Sequence, residues 1–186
     1  IRATPNMTSL GAMIAHRVPR KTSSILVTWS DTRRTESNVN VVPLLKGDVA
    51  VSQFEIPLPA IAAFFQRARG AGATTLLNPA PAQAMPRELL ALVDILVLNE
   101  TELGVLAGSE LSESDEAARI IEVARKLQAH KDQTICVTLG KRGVLALAGR
   151  EENAVPGRAV KVLDTTGAGD CFVGALAAQL ADDVPL

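Results

Sequence analysis

The sequence predicts an α/β protein with a mostly parallel sheet and helices packed on its faces. Three observations predict it. Short apolar runs alternate with stretches of helical spacing from Gly47 onward. The runs are apolar on successive residues, as expected for parallel strands buried on both sides. Polar clusters follow the runs: Glu55, then Asn78, then Asn99 and Glu102, then Thr138 and Gly140, then Asp164 to Asp170. In open α/β sheets, the carboxyl ends of the strands are where ligands bind. One such cluster is unremarkable, but five at one edge form a candidate site.

The elements follow in order. Residues 48–54 (DVAVSQF) form a short apolar run, read as a strand. Pro57 and Pro59 open a helix through Ile61, Phe64, Phe65 and Ala68, which Gly70 and Gly72 close. Residues 74–78 (TTLLN) form a second strand that runs into the loop Asn78-Pro79-Ala80-Pro81-Ala82. A short helix near residues 87–92 leads to the strand 94–98. Asn99 to Glu102 starts the next helix, which stops near Gly108. Ser112 or Ser114 is expected to cap a longer helix over 115–129, with Ala118, Ile121, Ala124, Arg125 and Leu127 at helical spacing. Residues 134–139 and 143–148 are strands joined by the turn Gly140-Lys141-Arg142. Residues 159–163 (AVKVL) are expected to be the final strand, before a helix that begins within Gly167 to Asp170.

Composition narrows the function. The 186 residues suffice for one well-filled core. A formal net charge of −1 gives no electrostatic argument for nucleic acid. No apolar run reaches the roughly 18 residues of a membrane span, so no membrane partner is expected. The first residues, IRATPNMTSLGAMIAH, lack a basic start followed by an apolar stretch, so no signal peptide is expected. Cys136 and Cys171 make no metal-ligand spacing with each other or with the two histidines, which suggests a reduced, cytoplasmic protein. Cys136 reads as strand filler and Cys171 as packing behind Asp170; His16 and His130 read as surface residues. Charge is uneven: residues 1–46 hold seven Lys/Arg against Asp31 and Glu36. That end lacks the interleaved aromatics and the motif of a nucleic-acid arm.

The stretch VLDTTGAGDCFVGALAAQLA, from Val162 to Ala181, is the most informative. The first amides of a helix have no partner within it, and the helix dipole adds partial positive charge there. The glycines of Gly167-Ala168-Gly169 let a phosphate approach the backbone. Asp170 follows directly, where a carboxylate can take a proton from an attacking hydroxyl. Spacing alone fits a plain alternative equally well: Asp164 or Thr166 as an N-cap, with glycines that relieve a tight corner. Neither a P-loop nor a dinucleotide fingerprint occurs. Asn99 and Glu102 likewise fit a helix cap and a first-turn acid. Glu55, Lys141 and Arg142 fit solvated loops.

The stretch Asp164 to Leu176 (DTTGAGDCFVGAL) resembles the second signature of the ribokinase-like, or PfkB, carbohydrate kinases. Residues 53–57 (QFEIP), 77–82 (LNPAPA), 98–102 (LNETE) and 138–144 (TLGKRGV) agree with that family in order and spacing. Together the resemblance covers about three quarters of the chain, and the NPAPA and NETE pair is most like the ribose-phosphorylating members. It implies a three-layer α/β/α, Rossmann-like sheet and transfer of the ATP γ-phosphoryl group to a sugar primary hydroxyl. Fructose, deoxygluconate and nucleoside kinases are the rival activities, and a non-catalytic nucleotide-binding remnant is the rival of another class. The resemblance makes Asp170 the catalytic base and the amides of Gly167, Ala168 and Gly169 an anion hole. It makes Glu55 a sugar ligand, and puts Asn99 and Glu102 where Mg²⁺ and the ATP phosphates are organised through water. Thr138, Leu139, Gly140, Lys141, Arg142 and Gly143 match the nucleotide loop. The Asp164 side chain and the Thr166 carbonyl match ligands of a monovalent cation, K⁺.

The chain also departs from the family pattern. Residues 47–186 read as the nucleotide-binding core, and residues 1–46 as the remnant of a strand pair, 8–15 and 24–28, with an atypical basic sequence. The family's amino-terminal sugar-binding segment and its later adenine-covering segment are not matched. The chain is therefore expected to be a fragment, inactive or nearly so alone, and a homodimer is one expected assembly for its apolar edges. Residues 29–38 (WSDTRRTESN) stand where a Gly-Ala-Asn-type loop is expected. A locally altered reading frame would explain this, and resequencing the gene would test it.

Overall fold

The computed structural model describes residues 12–15, 43–112, 114–162 and 164–184, the first group by backbone alone. Among these residues, seven strands form one sheet in chain order: β1 (Ala12–Ala15), β2 (Val49–Gln53), β3 (Thr74–Asn78), β4 (Ile95–Asn99), β5 (Thr134–Thr138), β6 (Gly143–Ala148) and β7 (Glu151–Pro156). β2 to β5 are parallel; β1, β6 and β7 pair antiparallel with their neighbours. The helices are α1 (Leu58–Gly70), α2 (Arg87–Leu90), α3 (Glu100–Ala107), α4 (Ala117–Leu127) and α5 (Ala168–Ala181), with a 3₁₀ turn at Gly140–Arg142. No helix among the described residues is long and apolar enough to cross a membrane.

Successive residues of a strand point to opposite faces, which explains the continuous apolar runs. Ala50, Leu77, Leu96, Leu98, Ile135 and Val137 face the larger core with Ile61, Phe65, Leu103, Ile120 and Val123 from α1, α3 and α4. Val49, Val51, Leu76, Ile95, Val97 and Cys136 face the smaller core with Val173, Ala177 and Ala181 of α5. This is the expected three-layer arrangement. Cys136 is buried as expected, whereas Cys171 is exposed rather than packed. His130 is also less superficial than expected, with Nε2 3.1 Å from the Val93 carbonyl.

Two element expectations are corrected. Residues 157–162 carry no strand, and the strand in this part of the chain is β7 at Glu151–Pro156; Leu163 lies outside the described residues. α4 begins at Ala117 with Glu116 at its cap position and no side-chain cap. Ser112 instead donates its amide to Asp115 Oδ2 at 2.6 Å, so the serine and the acid close the preceding turn on themselves. Of the amino-terminal strand pair, Ala12–Ala15 forms β1, while 24–28 and the loop 29–38 lie outside the described residues.

Candidate functional site

The four parallel strands each end in a polar residue: Gln53, Asn78, Asn99 and Thr138. Gln53 pairs with Asn78 in register, and Asn99 pairs with Thr138. A row of polar side chains therefore borders the carboxyl edge of the sheet. α5 crosses the other face and packs on β1 and β2, which brings its first turn to the β2 end of that row. There Gln53 Nε2 donates to Asp170 Oδ1 at 2.8 Å and lies 3.4 Å from Asn78 Oδ1. Asn78 Nδ2 in turn donates to the Val97 carbonyl at 2.9 Å, a buried bond.

The turn before α5 is built by Gly167, with φ of 74° in the left-handed region that favours glycine. The Ala168 amide already donates to the Thr165 carbonyl at 3.1 Å. Among the described residues, the amides of Gly167, Gly169 and Asp170 carry no hydrogen bond. A Cβ placed on Gly169 would meet no atom within 4 Å. Asp164 Oδ1 accepts from the Thr166 amide at 2.8 Å, and that bond holds the Asp164 carboxyl below the usual carboxylate range. The Thr166 carbonyl accepts no hydrogen bond among the described residues. An anionic oxygen and an unbonded carbonyl thus stand in one exposed turn, a donor set that suits a weakly bound cation.

Farther along the row, Asn99 and Glu102 form a capping box on α3. Glu102 donates its amide to Asn99 Oδ1, and Asn99 donates its amide to Glu102 Oε2, both at 2.9 Å. The sequence-based alternative of a helix cap is therefore real, yet it uses only one oxygen of Glu102. Partial burial raises the Glu102 carboxyl above its ordinary range, against the lowering effect of its bonds to Asn99. No group of three or more His, Cys, Asp or Glu gathers among the described residues. A carboxylate with one oxygen outside the capping box fits a hydrated Mg²⁺.

The loop after β5 divides its labour. Leu139 buries its side chain in the larger core, and its amide donates to the Gly143 carbonyl at 2.8 Å. Thr138 and Gly140 lie at the edge, and Lys141 is exposed. Arg142 turns back into the protein, donating to Glu100 Oε1 and to the Asp115 carbonyl, both at 2.7 Å. Its guanidinium is thus occupied in tying the loop to α3. Glu55 is exposed in the turn between β2 and α1, where the Phe54 amide donates to the Ala80 carbonyl at 2.9 Å. Gln53 and Glu100 lie in stretches that carry the family resemblance, but neither is assigned a role from sequence. Gln53 ends an apolar strand, and its partner lies 117 residues away; Glu100 reads as an ordinary first-turn acid, yet it is 7% exposed.

Known proteins share this arrangement of sequence and fold. A profile described as pfkB family carbohydrate kinase matches residues 28–186. Ribokinase from Staphylococcus aureus (strain COL) is 40% identical over 141 residues, covering 74% of this chain and 44% of that protein. A bifunctional ribokinase/ribose-5-phosphate isomerase A from Fructilactobacillus sanfranciscensis is 36% identical over 150 residues, covering 81% of this chain and 27% of that protein. The structure of Arabidopsis thaliana ribokinase complexed with ribose and ATP superposes with a TM-score of 0.65 at 29% identity, covering 74% of this chain and 44% of that one. The chain spans less than half the length of these relatives.

Proposed function

This chain belongs to the pfkB family of carbohydrate kinases, and we propose that it serves transfer of the ATP γ-phosphoryl group to a sugar's primary hydroxyl, converting ribose to ribose 5-phosphate. The observation that carries this reading is the Gln53–Asp170 hydrogen bond of 2.8 Å, which joins the first turn of α5 to the polar row at the strand ends. On this reading Asp170 takes the proton of the sugar hydroxyl. The freed oxygen bonds to the γ-phosphorus as the bond from that phosphorus to the bridging oxygen breaks, and ADP departs. The open amides of Gly167, Gly169 and Asp170 face the charge that grows on the phosphoryl oxygens. Glu55 accepts a hydrogen bond from a sugar hydroxyl. The edge from Thr138 through Gly143 holds the nucleotide, with Arg142 fixing that loop from behind. When bound, Mg²⁺ neutralises phosphate charge; the free oxygen of Glu102 would hold it through water. Asp164 and the Thr166 carbonyl would hold K⁺. A cytoplasmic location accompanies this reading, in keeping with two unpaired cysteines.

The test is ADP release from ATP in the presence of ribose, 2-deoxyribose or fructose, together with the thermal shift that ATP produces. Sugar-dependent ADP release, greatest with ribose and strongly reduced in Asp170→Asn, is expected from the full-length protein that carries this sequence. No sugar-dependent release and no thermal shift with ATP would overturn the assignment.

A further inference from the structure

We infer that Gln53 is a positioning residue for Asp170, and that the relay from the Val97 carbonyl through Asn78 to Gln53 decides which carboxylate oxygen receives the proton. The inference rests on the reading of Asp170 as the base. The Val97 carbonyl can only accept, so the group 2.9 Å from it must be the amide nitrogen of Asn78. That places Asn78 Oδ1 toward Gln53, where it requires a donor. Gln53 therefore presents Nε2 rather than its oxygen, and the two hydrogens of Nε2 serve Asn78 Oδ1 at 3.4 Å and Asp170 Oδ1 at 2.8 Å. Each amide orientation is thus dictated by the one before it, and the chain starts from a strand backbone that cannot reorient.

The relay has a chemical consequence. Asp170 Oδ1 is occupied by a donor. Oδ2 lies on the side of the left-handed turn, 3.9 Å from where a Cβ on Gly167 would stand. Oδ2 is therefore the oxygen left to accept a proton beside the open amides. Asp170 is itself exposed, so burial does not fix its rotamer, and Gln53 is the side chain that ties it to the sheet. Losing this tie changes the geometry of proton transfer and leaves nucleotide contacts alone. The expected signature is thus a fall in kcat with an unchanged KM for ATP.

The test combines spectroscopy and kinetics. In ¹⁵N–¹H spectra, the Gln53 side-chain amide pair is identified by its absence in Gln53→Met. It should shift when Asp170→Asn replaces the carboxylate acceptor. In the phosphotransfer assay, Gln53→Met should lose about 10–100-fold in kcat at constant KM for ATP. Gln53→Glu keeps the volume but sets like charge against Asp170, and should lose more; it carries the kinetic test if Gln53→Met does not fold. An amide pair indifferent to Asp170→Asn overturns the contact. A shifted pair with wild-type kcat in both Gln53 variants overturns the positioning role. Absence of phosphotransfer by the unsubstituted full-length protein overturns the reading of Asp170 as the base, and the positioning role with it, while the amide shift still reports whether the contact exists.

Discussion

Asp170 and Gly169 stand side by side yet answer different questions. A general base acts in the transition state, so Asp170→Asn should lower turnover by roughly 10²–10⁴-fold while ATP still binds. Steady-state kinetics beside calorimetric ATP binding checks this, and near-normal turnover would remove Asp170 from the role. Gly169→Asp makes the complementary case. Nothing lies within 4 Å of a Cβ on Gly169, so the fold has room for the larger side chain. The Gly169 amide is open, and an added carboxylate there meets the phosphate that the turn is proposed to cradle. Urea denaturation should therefore show a midpoint close to wild type, while ATP affinity and turnover both fall. A large loss of stability would instead mark Gly169 as a packing glycine.

Gly143 shows the opposite balance, within the β6–β7 hairpin. Its φ is 103°, and a Cβ would sit 2.0 Å from the Val155 carbonyl oxygen. Gly143→Ala must therefore move the β7 end away and hold a strained backbone, which costs upward of about 1–3 kcal/mol. Denaturant titration should show this loss, and the loop that follows β5 should loosen with it. The hairpin also shows where sequence legibility ends. β2 to β5 were readable because both faces of each strand are buried, which makes their apolar runs continuous. β7 reads EENAVP, is exposed throughout, and exists because β6 offers it a pairing edge, a cause that periodicity does not record. The stretch after it, AVKVL, carries the better strand pattern, yet residues 157–162 form none, because no neighbouring strand pairs with them among the described residues. Polar strand ends were legible as a candidate edge. The Gln53–Asp170 bond was not, since it depends on α5 returning across the sheet to β2.

Packing across the sheet is uneven, and this gives the whole molecule a pH response of its own. Four helices cover one face of the sheet, whereas among the described residues α5 alone covers the other, over a smaller core that includes Cys136. Burial pushes the Cys136 thiol up from 9.0 to about 11. The folded state therefore holds this proton more tightly than the unfolded chain does. The stability that follows is fully present below pH 9 and is lost as pH rises from about 9 to about 11, amounting to about 2–3 kcal/mol on linkage. Other groups titrate in the same interval, so the contribution is read as a difference: wild type and Cys136→Ala, each unfolded in urea at pH 8 and pH 10.5. The variant begins less stable because a buried side chain is shortened, and the gap between the two proteins should narrow at the higher pH. A thiol reagent provides the independent check. At pH 8 it should modify the exposed Cys171 quickly and Cys136 only at the rate of unfolding. Equal reaction of both thiols in the native protein, or a gap that does not change with pH, would mean that α5 does not seal the smaller core.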